Sequence, residues 1–367
     1  MKITYDNFTF DDKVIRTIED KCFKVGAHNF NRYLHKCCFG GKPIIDVLKD
    51  IKHKKEYKRC DYTEQNLYLS IDEQKEIVIN FYKSLSSELG KKAKLILNGE
   101  DNRYCVNITQ DTSKDCSGNV STENGSNLIH FNVNLDGGIH GLRIMAHEIS
   151  HAISSFKTKS YEVINNGTEN ELKEYFSHLR RYDVDSIGEV ESYIIESLFM
   201  NHLKKQDIIS VRDLTNYENY RNYSIINNLN TILEESYIFD HIQPTINPEK
   251  FFKFVKKIGG IFKSKNYNTI MHRFIRMYLR DDHQEYSQYN FRYIIGEIIS
   301  SLWFEQYSQA SEQQKREMIK SFEKFLSITD TATLETACHD LVELSVGDTF
   351  KDYICHLEQK CLKDNFT

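Results

Sequence analysis

Proline is nearly absent from this chain of 367 residues, which holds only Pro43, Pro244 and Pro248. Proline removes a backbone donor and breaks helix interiors, so its scarcity leaves room for many long helices. An excess of one charge sign is missing too. The 48 basic and 53 acidic residues are interspersed and leave a net charge of −5, which offers no field for nucleic acid or an anionic membrane. No apolar run reaches the roughly 20 residues that a bilayer span needs; the longest are broken by Gly, Ser or Glu. Met1-Lys-Ile-Thr-Tyr-Asp-Asn-Phe-Thr9 lacks the apolar core of a signal peptide, so Sec export is not expected. Nine cysteines make an odd number and contain no C-x-x-C pair. They fit free thiols in a reducing compartment better than disulfides or a cysteine-zinc site. The bias towards Lys, Asn, Ile and Tyr resembles that of an AT-rich bacterial genome. A bacterial cytoplasm is therefore expected, or a host cytosol reached without a Sec signal.

What is present is mostly helical periodicity. Residues 11–57 read as short helices separated at Gly26 and Gly40-Gly41. Ser70 or Asp72 is placed to start a helix ending at Gly90. Between 91 and 134 the pattern changes: Lys94–Leu97, Tyr104–Ile108 and Leu128–Val133 read as strands between loops rich in Ser, Asn, Asp and Gly. Beyond that, helices are predicted over roughly 138–157, 169–181, 184–205, 216–239, 248–262, 267–280, 286–308, 312–327, 331–345 and 350–362. There is no repeat and no low-complexity linker.

Within the 138–157 helix lies His147-Glu148-Ile149-Ser150-His151, an H-E-x-x-H motif. Two histidines one helical turn apart aim at the same point, where they can share a metal ion. The glutamate between them sits about 100° round the helix, placed to take a proton from a water that the metal activates rather than to ligate. Leu142, Met145, Ile149, Ala152, Ile153 and Phe156 form the core-facing stripe, and the histidines fall beside it with His140 and Ile144. The strand at Leu128–Val133, reaching the helix through Asp136-Gly-Gly138, is expected to pair with an extended substrate backbone.

A catalytic zinc of this kind needs a third protein ligand. In Gly188-Glu-Val-Glu-Ser-Tyr-Ile-Ile-Glu-Ser-Leu-Phe199, the residues Ile187, Val190, Ile194 and Leu198 make a buried stripe. Glu189, Ser192, Tyr193 and Glu196 share another face, and Glu191 points to the far side. Glu189 is thus the preferred ligand, with Glu196 as support for a histidine. Glu196 is the alternative third ligand.

These residues resemble the oligopeptidase-F and thimet-oligopeptidase-like zinc peptidases (the M3 peptidases). That family's E-x-x-S-x-x-x-E signature is matched by Glu189, Ser192 and Glu196. Its later segment, a histidine followed by spaced tyrosines and a glycine, is matched by His283, Tyr286, Tyr289, Tyr293 and Gly296. The resemblance covers roughly residues 75–310. It implies that Tyr286 or Tyr293, with His283, stabilises the oxyanion formed when a peptide carbonyl is attacked. Three features depart from the family. Ser150 stands where Gly is usual, the gap from His151 to Glu189 is longer, and the chain is much shorter, so a cleft open to loops of folded proteins is expected.

The resemblance implies a mainly α fold, a zincin-type body with a small antiparallel sheet beside the H-E-x-x-H helix. Residues 1–70 are expected to form an N-terminal helical segment and 71–367 a single catalytic domain. The implied activity is that of a zinc endopeptidase holding one Zn²⁺ on His147, His151 and Glu189, with Glu148 as general base. Its substrates would be oligopeptides or a specific protein, as for a bacterial effector protease. The competing expectation is a non-catalytic peptide- or protein-binding module on the same scaffold; an intact Glu148 argues against it.

Overall fold

The computed structural model describes residues 3–5, 8–10, 38–39, 42–43, 67–122, 128–154, 168, 178–241, 253, 257, 289–327, 334–339 and 341. The chain divides into two compact units. One comprises Met1–Arg59, Asn222–Ile294 and Leu344–Thr367, and the other Cys60–Arg221 and Ile295–Glu343. The first contains two small antiparallel pairs: β1 (Ile3–Tyr5) with β2 (Phe8–Phe10), and β3 (Cys38–Phe39) with β4 (Lys42–Pro43). The last pair flanks Gly40-Gly41, which the sequence alone placed between helices. The predicted helices at 267–280 and 350–362, and most of 169–181 and 248–262, lie outside the described residues; 253 and 257 are helical.

The second unit opens with α1 (Ile71–Leu85) and α2 (Ser87–Leu97). Ser70 caps α1 in a reciprocal pair with Glu73, the S-x-x-E pattern that satisfies two orphan donors at once. Ser86 ends α1 and caps α2 through its side chain. Two expectations fail here. Lys94–Leu97 is helix and not strand, because Ala93, Ile96 and Leu97 continue the buried face that Leu89 begins. Gly90 is no helix terminator but sits inside α2, where a Cβ would stand 2.6 Å from the Lys83 backbone. It is small so that the two helices can touch.

β5 (Tyr104–Thr109), β6 (Ser117–Thr122) and β7 (Ile129–Asn134) form one sheet in the order β5-β7-β6. β7 runs parallel to β5 and antiparallel to β6, so the sheet is mixed rather than antiparallel. After β5 the chain reverses into β6, two strand spacings away, and β7 fills the gap between them. β6 had no apolar run to signal it; Ser117-Gly-Asn-Val-Ser-Thr122 reads as loop. Because β7 has a neighbour on each side, its backbone groups are committed and it cannot take a further strand. The expected substrate pairing at Leu128–Val133 is therefore corrected.

Asp136 leads into α3 (Ile139–Ile153), its carboxylate accepting from the backbone N–H groups of Gly138 (2.8 Å) and Gly141 (3.0 Å). Leu142, Met145, Ile149 and Ala152 are fully buried, as the spacing predicts; Phe156 lies outside the described residues. Tyr82 of α1 and Tyr104 of β5 donate hydroxyl hydrogen bonds to the Ala146 and Ala152 carbonyls, pinning α3 on both sides of the motif. α3 packs against the sheet, α2 and the long α4 (His178–Lys205). Asp207, at φ 54°, turns the chain after α4, and Ser210 with Asp213 caps α5 (Val211–His241). α6 (Tyr289–Gln309), α7 (Glu312–Phe325) and the short α8 (Leu334–His339) follow. Thus the fold is mainly α with one small sheet beside the motif helix. Among the described residues, no helix is long and apolar enough to cross a membrane.

Candidate metal centre

α4 does not divide into a buried stripe and a wet face. From Ser186 to Met200 polar residues are buried beside the apolar ones, including Glu189, Glu191, Ser192, Glu196 and Ser197. A buried carboxylate loses several kcal/mol of hydration and needs partners in return. Here the partners converge on the two motif histidines.

His147 and His151 bring their Nε2 atoms to 3.1 Å of each other, and a Glu189 carboxylate oxygen lies 3.6 Å from His147 Nε2. The ligand atoms of all three residues fall within 4.8 Å of one another. Donors 2.0–2.2 Å from a tetrahedral zinc stand roughly 3.3–3.5 Å apart, so this trio has about the span of one ion's shell. The charge also fits. Glu148, Glu189, Glu191 and Glu196 are 8%, 5%, 1% and 2% exposed around two imidazoles, and a divalent cation would balance a cluster that strongly acidic.

Glu196 carries out several tasks. One oxygen lies 2.7 Å from His147 Nδ1; the other accepts from Arg143 at 2.8 Å and from the Tyr217 hydroxyl at 2.9 Å. Burial alone would push its carboxyl up, but Arg143 and His147 hold it well below the usual carboxylate range. Burial opposes a charged His147, yet the hydrogen bond and negative charge of Glu196 outweigh it and hold the ring up at about 9. Metal uptake must displace that proton and so weakens in acid. Arg143 also donates to His140 Nδ1 at 2.8 Å, and burial, then the charge of Arg143, lowers the pKa of His140 below the usual histidine value.

Glu191 departs from expectation. Instead of facing away, it lies 3.4 Å from His151 Nδ1. The His151 ring lies against α4 at Gly188, where a Cβ would stand at an ordinary contact distance, 3.7 Å from Cε1 and Nδ1. The imidazole can lie along that flank of α4, within range of a long side chain on its next turn. Ser150, at the departure from the family motif, is fully buried and donates to the His147 carbonyl at 2.7 Å, so its hydroxyl is satisfied inside α3.

Glu148 turns towards the sheet. A Cβ on Gly118 of β6 would stand 2.4 Å from Glu148 Cγ and 2.8 Å from its Oε1, so glycine leaves the space that Glu148 occupies. Gly296 does the same for the backbone of α4: a Cβ there would stand 2.7 Å from Glu189 Cβ. Tyr193 sets its ring edge-on to His147, centroids 5.6 Å apart, with the Arg221 guanidinium over it.

Of the expected oxyanion donors, Tyr293 is half-buried and its hydroxyl accepts from Arg292 at 3.0 Å; His283 and Tyr286 lie outside the described residues. Sequence reasoning missed Arg143, Tyr217, Gly118 and the role of Glu191. Arg143 had a signal, since 143, 147 and 151 form an i, i+4, i+8 line. Tyr217 and Gly118 had none, because only tertiary packing brings them here.

No protein-family profile and no curated protein matches this sequence. Among solved structures the fold is similar to that of a protein assigned as oligoendopeptidase F from Bacillus anthracis, at 11% identity and TM-score 0.53, over 96% of this chain and 57% of that one. A second structure assigned as oligoendopeptidase F matches at 10% identity and TM-score 0.55, over 96% and 58%. PZ peptidase A, solved with an inhibitor, matches at 10% identity and TM-score 0.51, over 97% and 59%. At such identities the likeness is one of fold, and this chain spans less than two thirds of each neighbour's length.

Proposed function

We propose that this chain is a zinc-dependent endopeptidase, with His147, His151 and Glu189 as the ligands of a single Zn²⁺ and Glu148 as the general base. The observation that carries the reading is the convergence of both Nε2 atoms and the Glu189 carboxylate, while each Nδ1 is turned towards another carboxylate of α4. Likeness of fold to proteins named as peptidases supports it. When bound, zinc would lower the pKa of a water and polarise a carbonyl.

The chain's own residues would do the rest. Glu148, in the space left by Gly118, accepts a proton from the attacking water and returns it to the leaving amine. Among the described residues β5 and β6 are the outer strands and β7 is not; β6, which carries Gly118 beside Glu148, is the edge we assign to an extended peptide. Pairing there would bring the peptide backbone beside Glu148. Tyr286 or Tyr293, with His283, would donate to the oxyanion. Substrates would be oligopeptides or a particular protein, met in a reducing cytosol.

The test is elemental analysis of the purified protein together with hydrolysis of mixed quenched peptides. One zinc per chain and chelator-sensitive cleavage at internal bonds are expected. Stoichiometric zinc without turnover of any peptide or protein would leave a binding module instead, and absence of zinc would refute the reading altogether.

A further inference from the structure

An imidazole that binds zinc through Nε2, the atom that His147 and His151 bring together, must have Nε2 bare, so Nδ1 carries the proton. A carboxylate that accepts this proton's hydrogen bond fixes the tautomer, orients the ring and makes the other nitrogen more basic. Glu196 does this for His147. For His151, the group beside Nδ1 is Glu191, at 3.4 Å and 1% exposed on the side chain. Both carboxylates, together with Glu189 and the bare flank at Gly188, come from three turns of the single helix α4.

We infer that Glu191 is a positioning residue for His151, so that each zinc-binding histidine is held by its own α4 carboxylate. The inference rests on the zinc reading above. The two supports differ in kind. Glu196 shares its charge with Arg143 and Tyr217 and is part of a wider network. Glu191 reaches His151 at the ring nitrogen away from the ligand cluster and adds negative charge close to the site, which strengthens its hold on a cation. Because Glu191 meets His151 at Nδ1 and not at the Nε2 that faces the ligand cluster, its loss should weaken zinc without removing a ligand.

Zinc affinity of the full chain, measured by competition with a chromophoric chelator, tests this directly. Glu191→Gln is nearly isosteric and keeps an acceptor but not the charge; it should bind zinc about 10- to 100-fold more weakly. Thermal unfolding of its zinc-free form should match the wild type, and Glu191→Asp should recover part of the affinity. His151→Ala should lose far more. Independently of any variant folding, ¹⁵N-histidine spectra of the zinc-loaded wild type should show His151 protonated at Nδ1, with a downfield hydrogen-bonded proton. Wild-type affinity in Glu191→Gln, or a His151 Nδ1 without that proton, overturns the assignment while the zinc reading stands. A wild-type chain that binds no zinc overturns both.

Discussion

Glu148 and Gly118 face each other across the site, and each carries a separable expectation. Glu148→Gln keeps the shape of the side chain but cannot take a proton from water. Zinc content should stay at the wild-type level while hydrolysis falls by the 10²–10⁴-fold typical of a lost general base. Steady-state kinetics on a quenched peptide, with zinc measured on the same sample, checks it; near-wild-type turnover would exclude Glu148 as the base. Gly118→Ala tests the same group from the other side. Its Cβ would overlap Glu148 Cγ at 2.4 Å, so the carboxylate must move. A fall in kcat of about tenfold or more, with zinc content unchanged, is expected for a displaced base. Unaltered kcat would mean that Glu148 has another working position. The histidines and Glu148 were legible because one helical turn fixes their geometry locally. Glu191 was misjudged because helical angle alone takes no account of the reach of a long side chain towards a ring that lies against the same helix.

β6 is the element that the sequence hid and the site depends on. It has no hydrophobic alternation, and its register against β7 is held partly by one residue outside it. Asn134, at the end of β7, donates to the Asp111 and Asp115 carbonyls at 3.1 Å each and accepts from Asp111 N and Thr109 Oγ1 at 2.9 Å each. These four bonds fold the 111–115 loop so that β6 starts at Ser117, opposite Asn134. Asn134→Ala should cost about 2–3 kcal/mol of stability, from several hydrogen bonds each contributing about 1 kcal/mol net. It should also raise KM for extended peptides more than it lowers kcat, because the edge that would receive the peptide loosens. Denaturant unfolding and peptide kinetics read the two effects. A stability loss with unchanged KM would detach β6 from substrate binding. The helices were easier to read: Ser70-x-x-Glu73 and the Leu142–Ala152 stripe are local patterns that packing had no reason to override. At Lys94–Leu97 the four-residue window was ambiguous, and burial continuous with Leu89 decided for helix.

At the scale of the whole molecule, the uncommon property is the number of acids kept inside, and that has a consequence for stability against pH. Sequence patterning shows where acids stand but not that a helix is enclosed on all sides, so this property could not be read in advance. Glu297 of α6 is the clearest case: 4% exposed, its Oε2 without a hydrogen-bond partner. Burial pushes its carboxyl up to about 8, with Glu196 and Glu189 adding to the rise and Arg221 and Arg143 opposing it. The unfolded chain should titrate this group near its usual 4.5. Between those values the folded state holds a proton that the unfolded state has lost, so stability must fall as pH rises. The contribution is whole below about pH 4.5 and gone once the pH has passed through about 8. Glu297→Gln replaces the protonated acid with a neutral group of the same shape. Relative to wild type, it should be close to neutral at pH 5 and stabilising by up to a few kcal/mol at pH 8–9. Only the difference between the two proteins isolates this group, because Glu196, held low, contributes stability of the opposite sense that is lost towards acid. Urea unfolding of both, metal-free, at half-unit steps from pH 5 to 9 gives that difference. A difference that stays flat across the range would mean that Glu297 titrates alike in the folded and unfolded chain, and that the interior reaches water at this point.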